Sequence, residues 1–280
     1  MRVLRILAVA GLTVVTSVAN AAIVTQWSYQ VTSSFVTAST VFSAGGGTTT
    51  NTTSLIAWGI PFGQPNQSSL EITGNPATGL INTTTPPFST PLLVDGEIGP
   101  TQTFTHNNFP IEFSPNQSAL LLSTQISTTL DLKPNIPNQP DLGPFPSITF
   151  GIKFKETLNG GPCPVDAPPC PDIFVLEGNF NPFTFSYDTD GAGPDPAQLY
   201  FVQIFPLAGT PLSPLSDAAC AAAGSPNGCI GFITQENQSN HVQFAFALTT
   251  EPFGVPEPGV LALFALGLVG LGFTVRRRQV

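Results

Sequence analysis

The chain has 280 residues, with 8 cationic against 17 acidic side chains and a formal net charge of −9. Arg2, Arg5, Arg276, Arg277 and Arg278 lie at the two ends, so the body between them keeps only Lys133, Lys153 and Lys155 and no arginine. Displacing counterions from phosphate takes clustered cations, which argues against nucleic-acid binding, whereas an acidic surface suits solubility outside the cell and attracts divalent cations. The 29 prolines and 26 glycines argue against long helices, and the 22 phenylalanines with abundant threonine read as all-β.

In chain order, the first element is a leader. Met1-Arg2-Val3-Leu4-Arg5 precedes an apolar run from Ile6 to about Val18, followed by Ala19-Asn20-Ala21. A cationic start, a short apolar run and small residues in an A-x-A arrangement are the parts of a secretory signal peptide over 1–21. Its partners would be the secretion translocon and signal peptidase, with cleavage set by Ala19 and Ala21.

The body, 22–254, reads as a succession of strands. Thr25–Val36, Ser54–Trp58, Ser69–Ile72, Gly96–Phe104, Ile111–Phe113 and Ala119–Leu132 come first, with Gly45–Thr53 as a loop. Lys133–Pro146 is proline-rich and reads as a linker or a long surface crossing. The clearest alternations follow: Ile148-Phe150-Ile152-Phe154, Phe183-Phe185-Tyr187, the Gln198–Phe205 run and Val242-Phe244-Phe246-Leu248. Ile173–Leu176 and Cys229–Thr234 are further strands, and Asp217–Ala223 is the one helical turn expected inside the body. The expected architecture is one β-sandwich, jelly-roll-like or Ig-like, with two sandwiches meeting near Pro140 as the alternative.

The four cysteines form two tight pairs, Cys163/Cys170 and Cys220/Cys229. In an exported chain two local disulfides are expected; a metal site competes, but its spacing is wider than Cys-x2-Cys. Asp188-Thr189-Asp190-Gly191-Ala192-Gly193-Pro194-Asp195 resembles the opening of a calcium loop, with Asp188, Asp190 and Asp195 as ligands. The closing glutamate is absent, since Leu199 stands there, and a Gly-rich hairpin turn fits the segment better. The segment Thr103–Ile111 holds His106, one of two histidines, beside Asn107 and Asn108. Side chain-to-backbone hydrogen bonds would let these residues fasten a β-turn. A polar pocket, or His106 as acid or base in a secreted hydrolase, is the sharper alternative. Glu112 is the only carboxylate close in sequence, and the common catalytic motifs are missing, so no enzyme is expected.

The tail has three parts: Val255-Pro256-Glu257-Pro258, an uncharged run over 259–275, and Arg276-Arg277-Arg278. Seventeen helical residues reach roughly 25 Å, slightly short of a hydrocarbon core of about 30 Å, and the arginines keep that end cytoplasmic. The arrangement over 255–280 resembles the PEP-CTERM sorting signal of Gram-negative bacteria. That resemblance implies an exosortase as partner, cleavage near the PEP triplet, and transient inner-membrane anchoring before surface or extracellular placement. Thr105, His106 and Asn108, with Pro110-Ile111, resemble the Thr-His-x-Asn signature of the THxN family of such proteins, as does Cys220-x8-Cys229 through Glu236. The family implies no activity. Its setting implies exopolysaccharide and biofilm matrix, hence a structural or adhesion-type protein. The alternative is a lectin-like carbohydrate-binding module, calcium-assisted through the aspartates.

Overall fold

Alternation of apolar and polar residues becomes strand along most of the body. The computed structural model describes residues 22–85, 96–112, 118–157, 170–178, 182–189 and 196–252. The leader at 1–21 and the sorting tail at 255–280 lie outside these residues, as do Cys163, Asp190 and Asp195. Among the described residues no helix is long and apolar enough to cross a membrane.

The elements are β1 (Gln26–Phe35), β2 (Val41–Phe42), β3 (Thr50–Asn51), β4 (Leu55–Trp58), β5 (Ser68–Thr73), β6 (Ala77–Thr84), β7 (Gly99–Asn108) and β8 (Leu121–Ile136). There follow β9 (Ile148–Lys155), β10 (Asp172–Glu177), β11 (Phe183–Tyr187), β12 (Gln198–Pro206), β13 (Ser213–Pro214), α1 (Asp217–Ala222), β14 (Ile230–Thr234) and β15 (Gln238–Thr249). All-β is therefore correct. The strands join one sheet in the order β13-β14-β10-β9-β8-β1-β6-β15-β7-β5-β4-β3, with β12 on β15, β11 on β12 and β2 on β8. Pairing is antiparallel except where β15 meets β6.

The main core joins Ile56 and Trp58 of β4 and Leu70 and Ile72 of β5 to Phe154, Phe174 and Phe232 of β9, β10 and β14. In a flat sheet β5 and β10 would stand seven strand spacings apart, roughly 34 Å. Their inward faces meet because the sheet folds over on itself. A second core gathers Trp27, Ile81, Leu132, Tyr200, Val202 and Leu248, with the Trp27 ring edge-on to Phe185, Tyr187 and Tyr200 at 5.2–5.6 Å. Such ring pairs add to the stabilisation from area burial alone. The helix α1, capped by Ser216 accepting from the Ala219 N–H, covers the other face of β10 with Ala219 and Ala223 against Ile173 and Val175. Both faces of β10 are therefore buried.

Several elements differ from the expectation. Strand β6 has no apolar alternation because Gly79 faces Tyr29, whose hydroxyl would lie 2.8 Å from any Cβ placed there. What reads as a strand breaker is a close approach under an aromatic ring. Lys133–Pro146 begins as the end of β8 and then packs back, with the Phe145 N–H donating to the Leu130 carbonyl and Phe145 against the second core. Ile111 makes only an isolated bridge to Pro61.

Candidate functional site

Five strands carry their inward face to one end of the main core, and there the inward residues turn polar. On β4 the inward series ends Ile56-Trp58, and on β7 it runs Phe104-His106-Asn108. On β9 it is Phe150-Ile152-Phe154 and, just beyond the strand, Glu156. On β10 it is Asp172-Phe174-Leu176. On β14 it is Phe232-Thr234, with Glu236 following in the turn to β15. The period of two brings these polar side chains together.

The result is a buried polar cluster. His106, Asn108, Glu156, Asp172 and Thr234 are at most 3% exposed. Glu236 is half-buried as a residue, but both its carboxylate oxygens are shielded. Oxygens of Glu156, Asp172 and Glu236 lie within 4.8 Å of one another, a spacing able to hold a cation.

Hydrogen bonds meet part of the demand. The Trp58 indole N–H donates to Glu156 Oε2 at 2.6 Å, and the Thr157 backbone N–H donates to Asp172 Oδ1 at 3.0 Å. Asn108 Nδ2 donates to the Thr234 carbonyl at 2.9 Å. His106 Nδ1 is 2.8 Å from Thr234 Oγ1, which also accepts from Asn240 Nδ2 at 2.9 Å. His106 Nε2, Asn108 Oδ1, Glu156 Oε1 and Asp172 Oδ2 have no such partner. Buried polar atoms are nearly always satisfied, so four together call for an explanation.

Burial sets the protonation. It raises the Glu156 carboxyl to about 8, against the Trp58 hydrogen bond and with the Glu236 charge. It also raises Asp172 well above the usual range, helped by the Glu156 charge. The same burial lowers His106 to about 3. The 3.7 Å approach of His106 Nε2 to Asp172 Oδ2 is therefore not a salt bridge, because the imidazole is neutral, and it is too long for a hydrogen bond.

His106 lies within β7, two residues before its end and not in a β-turn, and the turn-fastening role expected from sequence is corrected. Its ring stacks with Trp58 at 6.1 Å and meets Phe154 edge-on at 4.9 Å, which closes it from solvent. Thr105 points the opposite way, its hydroxyl 2.9 Å from His241 Nδ1 on β15. The carboxylates near His106 come from distant positions; Glu112 is not among them. Cys220 and Cys229 form a disulfide closing the α1 loop. Cys170 is buried and disulfide-bonded. Asp188 directly follows β11, which pairs with β12.

Apart from the cluster, a cleft of about 480 Å³ opens on the surface beside Gln30, Thr78, Asp131 and the exposed Lys133–Asp141 ion pair at 3.2 Å.

The sequence beyond the body decides where the molecule goes. The family description "PEP-CTERM protein-sorting motif" matches residues 254–278. The chain carries a PEP-CTERM sorting motif. This motif implies an exosortase as processing partner, with export and surface or membrane association. The comparison with curated proteins finds no match.

Proposed function

We propose that the chain is an exported structural protein of adhesive type, working at the cell surface or in an exopolysaccharide matrix of a Gram-negative bacterium. Its β body is delivered through the secretion pathway, held briefly in the inner membrane, and released or attached when the exosortase acts at the PEP triplet. The observation that carries this reading is the sorting motif at 254–278, close behind β15, the last strand among the described residues, which ends at Thr249. The folded-over sheet favours a sandwich-type body. We read Thr105, His106 and Asn108 as the THxN motif of this class. The enclosure of His106 between Trp58 and Phe154 favours a structural role over a hydrolytic one, because a general acid or base must reach its substrate.

A second reading, carbohydrate binding, is favoured by the surface cleft beside Gln30, Asp131 and Lys133, whose amide, carboxylate and ammonium groups suit sugar hydroxyls. Calcium held by Asp188, Asp190 and Asp195 would belong to that reading.

Intact mass of the product from native cells tests the sorting. A chain ending near Pro258 is expected, and a product that keeps 259–280 overturns cleavage. Retention on the producing organism's own exopolysaccharide tests the matrix role, and a glycan array blank with and without calcium removes the second reading.

A further inference from the structure

The body contains no arginine, and Lys153 and Lys155 stand on β9 at positions out of phase with the inward series. The three carboxyl groups at the end of the main core therefore have no cationic side chain among the residues that form the cluster. Two like charges about 4 Å apart repel by about 4 kcal/mol even at an effective dielectric of about 20. A proton on Glu156 or Asp172 eases that repulsion. It leaves His106 Nε2 with nothing: as a lone pair it faces Asp172 Oδ2, and as an N–H it is 3.7 Å away.

An ion resolves both problems. Two ligands each about 2.1 Å from a metal stand about 3.0–3.4 Å apart at octahedral to tetrahedral angles, so 3.7 Å needs only a small adjustment. The carboxylate oxygens lie within 4.8 Å of one another, near enough for one ion to draw them together. The imidazole is already oriented as in known metal sites. Thr234 Oγ1 engages Nδ1 and is itself held by Asn240 Nδ2, which leaves Nε2 facing Asp172 Oδ2. A nitrogen ligand beside three carboxylates selects transition ions over calcium or magnesium, which prefer all-oxygen shells.

We propose that Glu156, Asp172, Glu236 and His106 Nε2 form a buried site for one divalent transition-metal ion of the zinc or manganese class. The ion ties β7, β9, β10 and the β14–β15 turn into one end of the fold, as structural metals do in small cores. The THxN histidine is then a ligand, and Asn108 and Thr234 are positioning residues.

The test uses the full chain purified in detergent, stripped with EDTA and dialysed against Zn²⁺ or Mn²⁺ alone. Elemental analysis should find about one equivalent retained, with a melting temperature raised by the ion and lowered again by chelation. In Asp172→Asn and Glu156→Gln the retained ion should fall at least about tenfold and the melting temperature should ignore EDTA. Retention below about a tenth of an equivalent with no melting shift in the unmutated chain overturns the site. So does full retention in both variants, which would place the ion elsewhere on the acidic surface. Should those variants fail to fold, Co²⁺ absorption decides with Glu236→Gln: a visible spectrum in the unmutated chain that this variant loses or shifts supports the site. An unchanged spectrum overturns it.

Discussion

Nε2 of His106 and Oδ2 of Asp172 face each other at 3.7 Å from two different strands, both buried and neither holding a hydrogen bond. The pair shows that His106 is part of the fold's interior, with its ring packed against Trp58, Phe154 and Phe232. His106→Ala therefore removes a packed ring and strips Thr234 Oγ1 of one partner. The expected loss is about 2–4 kcal/mol of unfolding free energy in urea, the size of a core truncation. A loss under about 0.5 kcal/mol, as at an exposed site, would contradict this placement.

Much of this end of the molecule is written in the alternation, which continues past its apolar members. Phe150, Ile152 and Phe154 mark the inward face of β9, and two residues on, in phase, stands Glu156. Phe174 and Leu176 point back in phase to Asp172, and Phe232 points forward to Thr234 and Glu236. The sequence predicts that the strand before His106 stops at Phe104, because Thr-His-Asn-Asn has the composition of a turn. Pairing with β5 and β15 on either side carries it on to Asn108, and tertiary contacts override local preference. Which inward faces meet was not legible, since that depends on how the sheet folds over.

The pH dependence of the chelated chain follows from the three buried groups. Glu156 is raised from 4.5 to about 8, so the folded state keeps a proton that the unfolded chain has released. Its contribution is full below pH 4.5 and is lost as pH rises to about 8. Asp172 shifts in the same direction. His106 is lowered from 6.5 to about 3, so its contribution is full above 6.5 and is lost as pH falls. Between pH 6.5 and 8 only the carboxyl groups act. In EDTA the melting temperature should therefore fall across that window, and Glu156→Gln, whose amide cannot ionise, should flatten the fall. A melting temperature that rises from pH 6.5 to 8 would refute the assignment.

The Cys220–Cys229 disulfide spans nine residues and pins α1 over β10. Closing a loop of this size removes about 2–3 kcal/mol worth of entropy from the unfolded chain. Cys220→Ala with Cys229→Ala should lower stability by about that amount in urea. Because Ile173 and Val175 lose their cover first, hydrogen exchange should quicken in α1 and β10 before β1 or β8. Uniform exchange across all four would count against a local role.

Gly231 joins the fold to the cluster. It sits on β14, where a Cβ would stand 2.0 Å from the Phe174 carbonyl oxygen, a backbone atom that cannot swing aside. Gly231→Ala must then push β14 away from β10, breaking the pairing that runs from Leu176–Ile230 to Asp172–Thr234. Displacing Thr234 by even about 1 Å frees His106 Nδ1 and moves Glu236 out of reach of the other carboxyls, since hydrogen bonds weaken steeply with misalignment. The expected cost is at least about 2 kcal/mol, as for overpacking against a rigid partner. By contrast, Gly228→Ala, where no atom lies within 4 Å, should leave the cluster intact and carry only the strain of its φ of 78°. The His106 imidazole resonances in an NMR spectrum separate the two: they should move in Gly231→Ala and stay in Gly228→Ala.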